Sequence, residues 1–177
     1  MQRAKIDNTG LLGSVYLAGP DVFLRDQSVA TRKINLLNEA GFEGFYPVDT
    51  DQDAALSAKS IYENNLDLID ASSIVMANIS PFRGPHCDPG TAFELGYAIR
   101  QNKHVIAYTN DDRPLKERIE CDYSAYAASE IIEDFGLVDN LMLMFGLRVV
   151  AESDIKDLSA WKAFKKAVCV LTESNIS

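Results

Sequence analysis

The stretch from Ile74 to Ile99, IVMANISPFRGPHCDPGTAFELGYAI, constrains the fold more than any other part of the chain. A short apolar run leads into a loop dense in Pro, Gly and polar residues, and a helix-like run follows. Ile74–Ala77 predicts a buried strand with Asn78 at its carboxyl edge, and Asn78–Gly90 the loop beyond it. In open α/β sheets ligands bind outside the carboxyl ends of the strands. Asp88-Pro89 suits a helix start, with Asp as N-cap and Pro in the first turn. Thr91 and Glu94 offer a competing start, because T-x-x-E is the spacing of a capping box. Both acids therefore have a purely structural reading. From Asp88 to Ile99 they are the only charged side chains. Glu94 is flanked by Ala92, Phe93, Leu95, Gly96, Tyr97, Ala98 and Ile99, and a carboxylate enclosed by apolar groups needs a partner or a chemical task. Two such acids at a strand–loop–helix crossing suggest an enzyme acting on a small polar molecule.

The 177 residues suffice for one domain with its own core. A net charge of −9 disfavours nucleic acid as a partner, since no basic surface displaces counterions. A neutral nucleoside remains open. MQRAKIDNTG lacks an apolar signal region, and no stretch is long and apolar enough to span a membrane, so a cytoplasmic location with no membrane partner is expected. Cys87, Cys121 and Cys169 are odd in number and lack CxxC spacing, which reads as reduced thiols.

Residues 1–12 read as a loose lead-in, with the catalytic domain over 13–177. Ser14–Ala18 predicts the first strand, ended by Gly19-Pro20. Tyr16 within it is either strand filler or a phenol reaching a pocket beyond the strand end. GPDVF is no dinucleotide fingerprint, and no Walker sequence occurs, so no cofactor is expected. Asp26–Ala40 predicts a helix with Ala30, Ile34 and Leu37 on one face, and Phe42–Val48 a weaker second strand. Asp49, Asp51 and Asp53 lack the Gly and terminal Glu of a calcium loop and read as a solvated turn. Ser57–Ala71 predicts a second helix with an apolar stripe of Ala58, Ile61, Tyr62, Leu66 and Ile69. Asn65 lies near the middle of that stripe, either in a core network or facing substrate.

Pro81–Pro85 has the character of a lid or wall, in which Phe82 has either the role of stacking on a planar base or none, and Arg83 either that of holding a polar edge or none, because an exposed Phe and Arg are common in loops without function. His86, Cys87 and Asp88 are adjacent and cannot easily converge on one ion, so no metal is expected. Lys103–Tyr108 predicts the fourth strand and Leu115–Asp134 a largely helical outer layer. Leu137–Leu147 reads as a core segment or a subunit contact, and Ile155–Val170 as an amphipathic terminal helix carrying Leu158, Trp161, Phe164, Ala167 and Val168.

DPGTAFELGYA from Asp88 to Ala98 resembles the nucleoside 2-deoxyribosyltransferase family. VYLAGPDVF, IYENNLDLIDASSIVMANISPFRG and DNLML support the resemblance, which runs from about Val15 to Met144. It implies a single-domain flavodoxin-like three-layer α/β fold around a central parallel sheet. Glu94 inherits the role of nucleophile, Tyr16 that of orienting it, and Asp88 that of binding and protonating the base. Asn140 would serve the site of a neighbouring subunit, in a homodimer or homohexamer. Substrate contacts fall to Gly19, Asp21, Phe23, Asn65, Phe82, Arg83 and Gly90. The family often has Asp where this chain has Asn65, and Asn cannot act as a general acid. Deoxynucleosides and free nucleobases are the implied partners. Two alternatives stand: an N-glycoside hydrolase of nucleosides or nucleoside 5'-monophosphates, and a binding module in which Glu94 only caps a helix.

Overall fold

The computed structural model describes residues 11–47 and 57–176. The lead-in over 1–10 and the Asp49, Asp51, Asp53 turn lie outside the described residues. Five strands form one sheet: β1 Ser14–Ala18, β2 Glu43–Phe45, β3 Ile74–Asn78, β4 His104–Thr109 and β5 Arg148–Ala151. Their order is β2-β1-β3-β4-β5, and every pairing is parallel. This is the flavodoxin-like order, with its topological switch point between β1 and β3.

Period-two alternation divides the core in two. Val15, Leu17 and Met76 face a cluster with Leu37 of helix α1 (Ser28–Glu39) and Phe164 and Leu171 of the terminal helix Trp161–Ile176. Tyr16, Ala18 and Val75 face the other cluster, with Ile69 of helix α2 (Ala58–Ala71) and Leu95 and Ala98 of helix α3 (Pro89–Arg100). Tyr16 thus points toward the layer that carries Glu94. The parity of a single strand position sets that meeting.

Several boundaries differ from expectation. The helix expected over Leu115–Asp134 is two helices, α4 Leu115–Asp122 and α5 Ser124–Ser129, parted at Tyr123, whose φ of −134° and ψ of 46° are not helical. Residues 137–147 hold only the short helix α6, Leu141–Met144, and the strand after it, β5, was not foreseen. The terminal helix, α7, starts at Trp161 rather than Ile155. Asp157 accepts hydrogen bonds from the Ser159 and Trp161 amides, which builds a turn where the helix was expected, and Leu158 is exposed. In α2, Tyr62 leaves the expected apolar stripe and lies exposed beside Phe93. Among the described residues no helix is long and apolar enough to cross a membrane.

Candidate active site

A cavity of about 600 Å³ opens beyond the carboxyl ends of β1 and β3. Gly19, Asp88, Gly90 and Glu94 line it from the strand-end turns and α3, Asn65 and Ile61 from α2, and Phe23 and Tyr46 complete an aromatic part of the wall. At its base the Tyr16 hydroxyl donates to Glu94 Oε1 at 2.7 Å. Tyr16 is fully buried. Burial drives the Glu94 carboxyl up to about 7, the Tyr16 hydrogen bond opposes that rise, and the nearby Asp88 adds to it. The Tyr16 phenol is pushed far above its ordinary value, first by burial and then by the Glu94 charge. It stays protonated and acts as a donor.

The two competing helix starts are resolved by these contacts. Asp88 is the N-cap of α3, with Oδ2 accepting from the Thr91 amide at 2.9 Å and from the Thr91 hydroxyl at 3.2 Å. Glu94 turns to Tyr16, 78 positions away, and not back to the helix start. The cap fixes Asp88 in the cavity wall. A Cβ at Gly90 would approach Asp88 Oδ2 to 3.0 Å, so the smallest residue lets that carboxylate face the cavity. Gly19 has φ +148°, and a Cβ there would stand 2.7 Å from the Asn78 Cβ. Only glycine fits where β1 passes this close to β3.

Asp21 requires correction. It is 5% exposed and does not line the cavity. Its Oδ2 accepts from Lys33 Nζ at 2.5 Å and its Oδ1 from Asn78 Nδ2 at 2.9 Å. Lys33 also donates to the Tyr108 hydroxyl and to the Ser159 carbonyl. The carboxylate is spent on a buried network, and it sits in the turn Pro20–Phe23, whose Val22 and Phe23 line the cavity. Phe82 and Arg83 also lie off the cavity lining. Phe82 stacks on Phe23 with centroids 5.3 Å apart, and the Arg83 guanidinium sits over both rings. They brace the aromatic wall from behind. Phe23 itself reaches the cavity.

Asn140 lies away from this cavity, at a second one of about 410 Å³ beside His86 and Glu133. Its side chain accepts from the Met142 amide and donates to Glu133 Oε1 at 2.6 Å. Sequence reasoning missed Gln27 and Thr31, which line the main cavity from α1 with Ile34. Their i, i+4, i+7 spacing was the available signal, obscured because two of the three are polar. It also missed Lys33, since a single lysine among apolar residues reads as surface. No Lys or Arg lines the cavity among the described residues. Nor do they include a cluster of His, Cys, Asp or Glu fit to hold a metal ion.

A profile of the family described as nucleoside 2-deoxyribosyltransferase matches residues 15–142. The chain is 32% identical over 113 residues to an uncharacterised protein of Schizosaccharomyces pombe, covering 59% of this chain and 54% of that one. It thus spans about half the length of that curated relative. A solved structure described as a 2-desoxiribosyltransferase from Leishmania mexicana is 31% identical, with a TM-score of 0.65 over 86% of this chain and 97% of that chain. A 2-deoxyribosyltransferase of Bacillus psychrosaccharolyticus, 21% identical with a TM-score of 0.52, shares the fold over 82% of this chain and 90% of its own.

Proposed function

The chain belongs to the nucleoside 2-deoxyribosyltransferase family, and we propose that it transfers a 2-deoxyribosyl group between nucleobases through a covalent glycosyl–Glu94 intermediate. The observation that carries this reading is the buried Tyr16–Glu94 hydrogen bond at 2.7 Å, with Asp88 in the same cavity wall.

The Glu94 carboxylate attacks the anomeric carbon as the bond to the base nitrogen breaks. The departing base keeps that bond's electron pair and takes a proton delivered through the Asp88 carboxyl. The carbon passes through an oxocarbenium-like state and is trapped as a glycosyl ester. A second base then attacks, the ester bond breaks, and the Asp88 carboxylate recovers a proton from the incoming base. Two displacements on opposite faces retain configuration. Water in place of the second base gives hydrolysis. Tyr16 opposes protonation of Glu94, and in this reading Asn65, which lines the cavity, hydrogen-bonds a sugar hydroxyl. Phe23, Tyr46 and Ile61 offer an apolar wall to a planar base. A neutral nucleoside suits this lining better than a 5'-monophosphate, because two carboxylates and no cation face the cavity among the described residues. In the same reading Asn140 serves the site of a neighbouring subunit in a homodimer or homohexamer.

Chromatography of products tests the reading. Deoxyinosine incubated with excess adenine should yield deoxyadenosine with the wild-type protein and none with Glu94→Ala. Free hypoxanthine without deoxyadenosine would make the protein a hydrolase, and no cleavage of any nucleoside would favour the binding module.

A further inference from the structure

The loop over 81–87 precedes Asp88, and its backbone carries few anchors. The Phe82 amide donates to the His86 carbonyl within the loop. The Cys87 amide donates outward, to Asp139 Oδ2 at 2.8 Å. Asp139 is 2% exposed, and its Oδ1 meets His86 Nδ1 at 2.8 Å and accepts from the Asn140 amide at 2.7 Å. One carboxylate thus holds two successive loop residues directly before Asp88.

Asp139 is itself held rigidly. The Leu115 amide donates to the Leu137 carbonyl at 2.7 Å, and the Arg118 guanidinium donates to the Val138 carbonyl. Arg118 is buried and also lies 3.7 Å from Asp111 Oδ2. Two hydrogen bonds and the backbone between Val138 and Asp139 therefore connect α4 to Cys87. Beyond Cys87 the α3 cap fixes Asp88 from the other side, through Thr91. A displacement of about 1 Å in a catalytic group can cost about 100-fold in rate.

We infer that Asp139 is a positioning residue that sets where the Asp88 carboxyl stands relative to the departing base. This rests on the reading of Asp88 as the acid that protonates that base. Asp139 lies outside the main cavity and touches no reacting atom. Its effect reaches the chemistry through the Cys87–Asp88 backbone. The same carboxylate registers the turn that carries Asn140.

The test uses a base that needs no proton. Release of base is followed for deoxyadenosine and for 7-methyl-2'-deoxyguanosine, whose leaving base already carries positive charge. Wild-type protein is compared with Asp139→Ala, Asp139→Asn and Asp88→Asn, with folding checked by circular dichroism. Asp139→Ala should slow deoxyadenosine cleavage by about 10-fold or more while cleavage of the methylated substrate changes by less than about 3-fold. Asp139→Asn keeps one acceptor oxygen for the Cys87 amide and should fall between Asp139→Ala and wild type; it carries the test alone if Asp139→Ala does not fold. Asp88→Asn should show the same selectivity with a larger loss. Equal losses on both substrates for the Asp139 variants, or no loss, would overturn the inference while a selective Asp88→Asn left the acid reading standing. An unselective Asp88→Asn would remove the acid reading and this inference with it.

Discussion

Tyr16 and Glu94 meet because a strand position of the right parity faces the helix that packs over it. The hydrogen bond has an electrostatic consequence that can be measured. In the proposed mechanism Glu94 attacks as a carboxylate, and burial raises its carboxyl to about 7. The ionised fraction, and with it kcat/KM, therefore rises as pH increases through about 7. Tyr16→Phe removes the one contact that holds this value down. The acid limb of the pH–rate profile should then move up by about one unit, with activity at pH 6 lowered about 10-fold. A limb that stays in place would show that Tyr16 does not govern Glu94. At this scale the sequence was informative where chemistry and position coincided: Asp88, Glu94 and Asn65 all line the cavity. It misled at Asp21, because nothing local announces that Lys33, twelve residues later, will neutralise it in the interior.

Helix α1 is attached to the sheet through that buried pair. Lys33 reaches Asp21 on the turn after β1, Tyr108 on β4 and the Ser159 carbonyl ahead of α7, so one ammonium ties four segments together. Burial lowers its affinity for a proton, and the Asp21 charge opposes that effect. Lys33→Met should destabilise the protein by about 3–5 kcal/mol, because Asp21 loses its buried ion-pair partner and keeps only the hydrogen bond from Asn78. Adding Asp21→Asn to Lys33→Met should recover part of the loss. Urea denaturation of the three proteins measures both effects, and a loss below about 1 kcal/mol for Lys33→Met would contradict the network's role. The long periodic elements were legible in the sequence: β1, β3, β4, and the bodies of α1, α2 and α3. Their apolar spacing is set by the sheet they cover. After Leu115 only the helical character of Leu115–Asp122 and the body of α7 was legible. The four-residue β5 is fixed by its pairing with the distant β4, while the break at Tyr123 and the Asp157 turn ahead of α7 are local interruptions that no apolar period marks.

For the molecule as a whole, the strand order places the turn after β1 and the loop after β3 side by side at the switch point, and the cavity forms where they part. The flavodoxin-like architecture could be expected because a run such as Ile74–Ala77, apolar throughout, belongs to a strand buried on both faces. The position of Asn140 at a second cavity could not, since it depends on the path of the chain between α5 and β5. Pro85 and His86 of the loop that Asp139 holds line the second cavity, and Asp88, directly after that loop, lines the main one. Covalent glycosylation of Glu94 is the claim on which the mechanism depends, and mass spectrometry of acid-quenched protein reads it out. Wild-type protein mixed with deoxyinosine and no acceptor base should gain the mass of one deoxyribosyl group, on the peptide that contains Glu94, and lose it when adenine is added. Base release at the wild-type rate with no adduct, or an adduct on another residue, would contradict the claim.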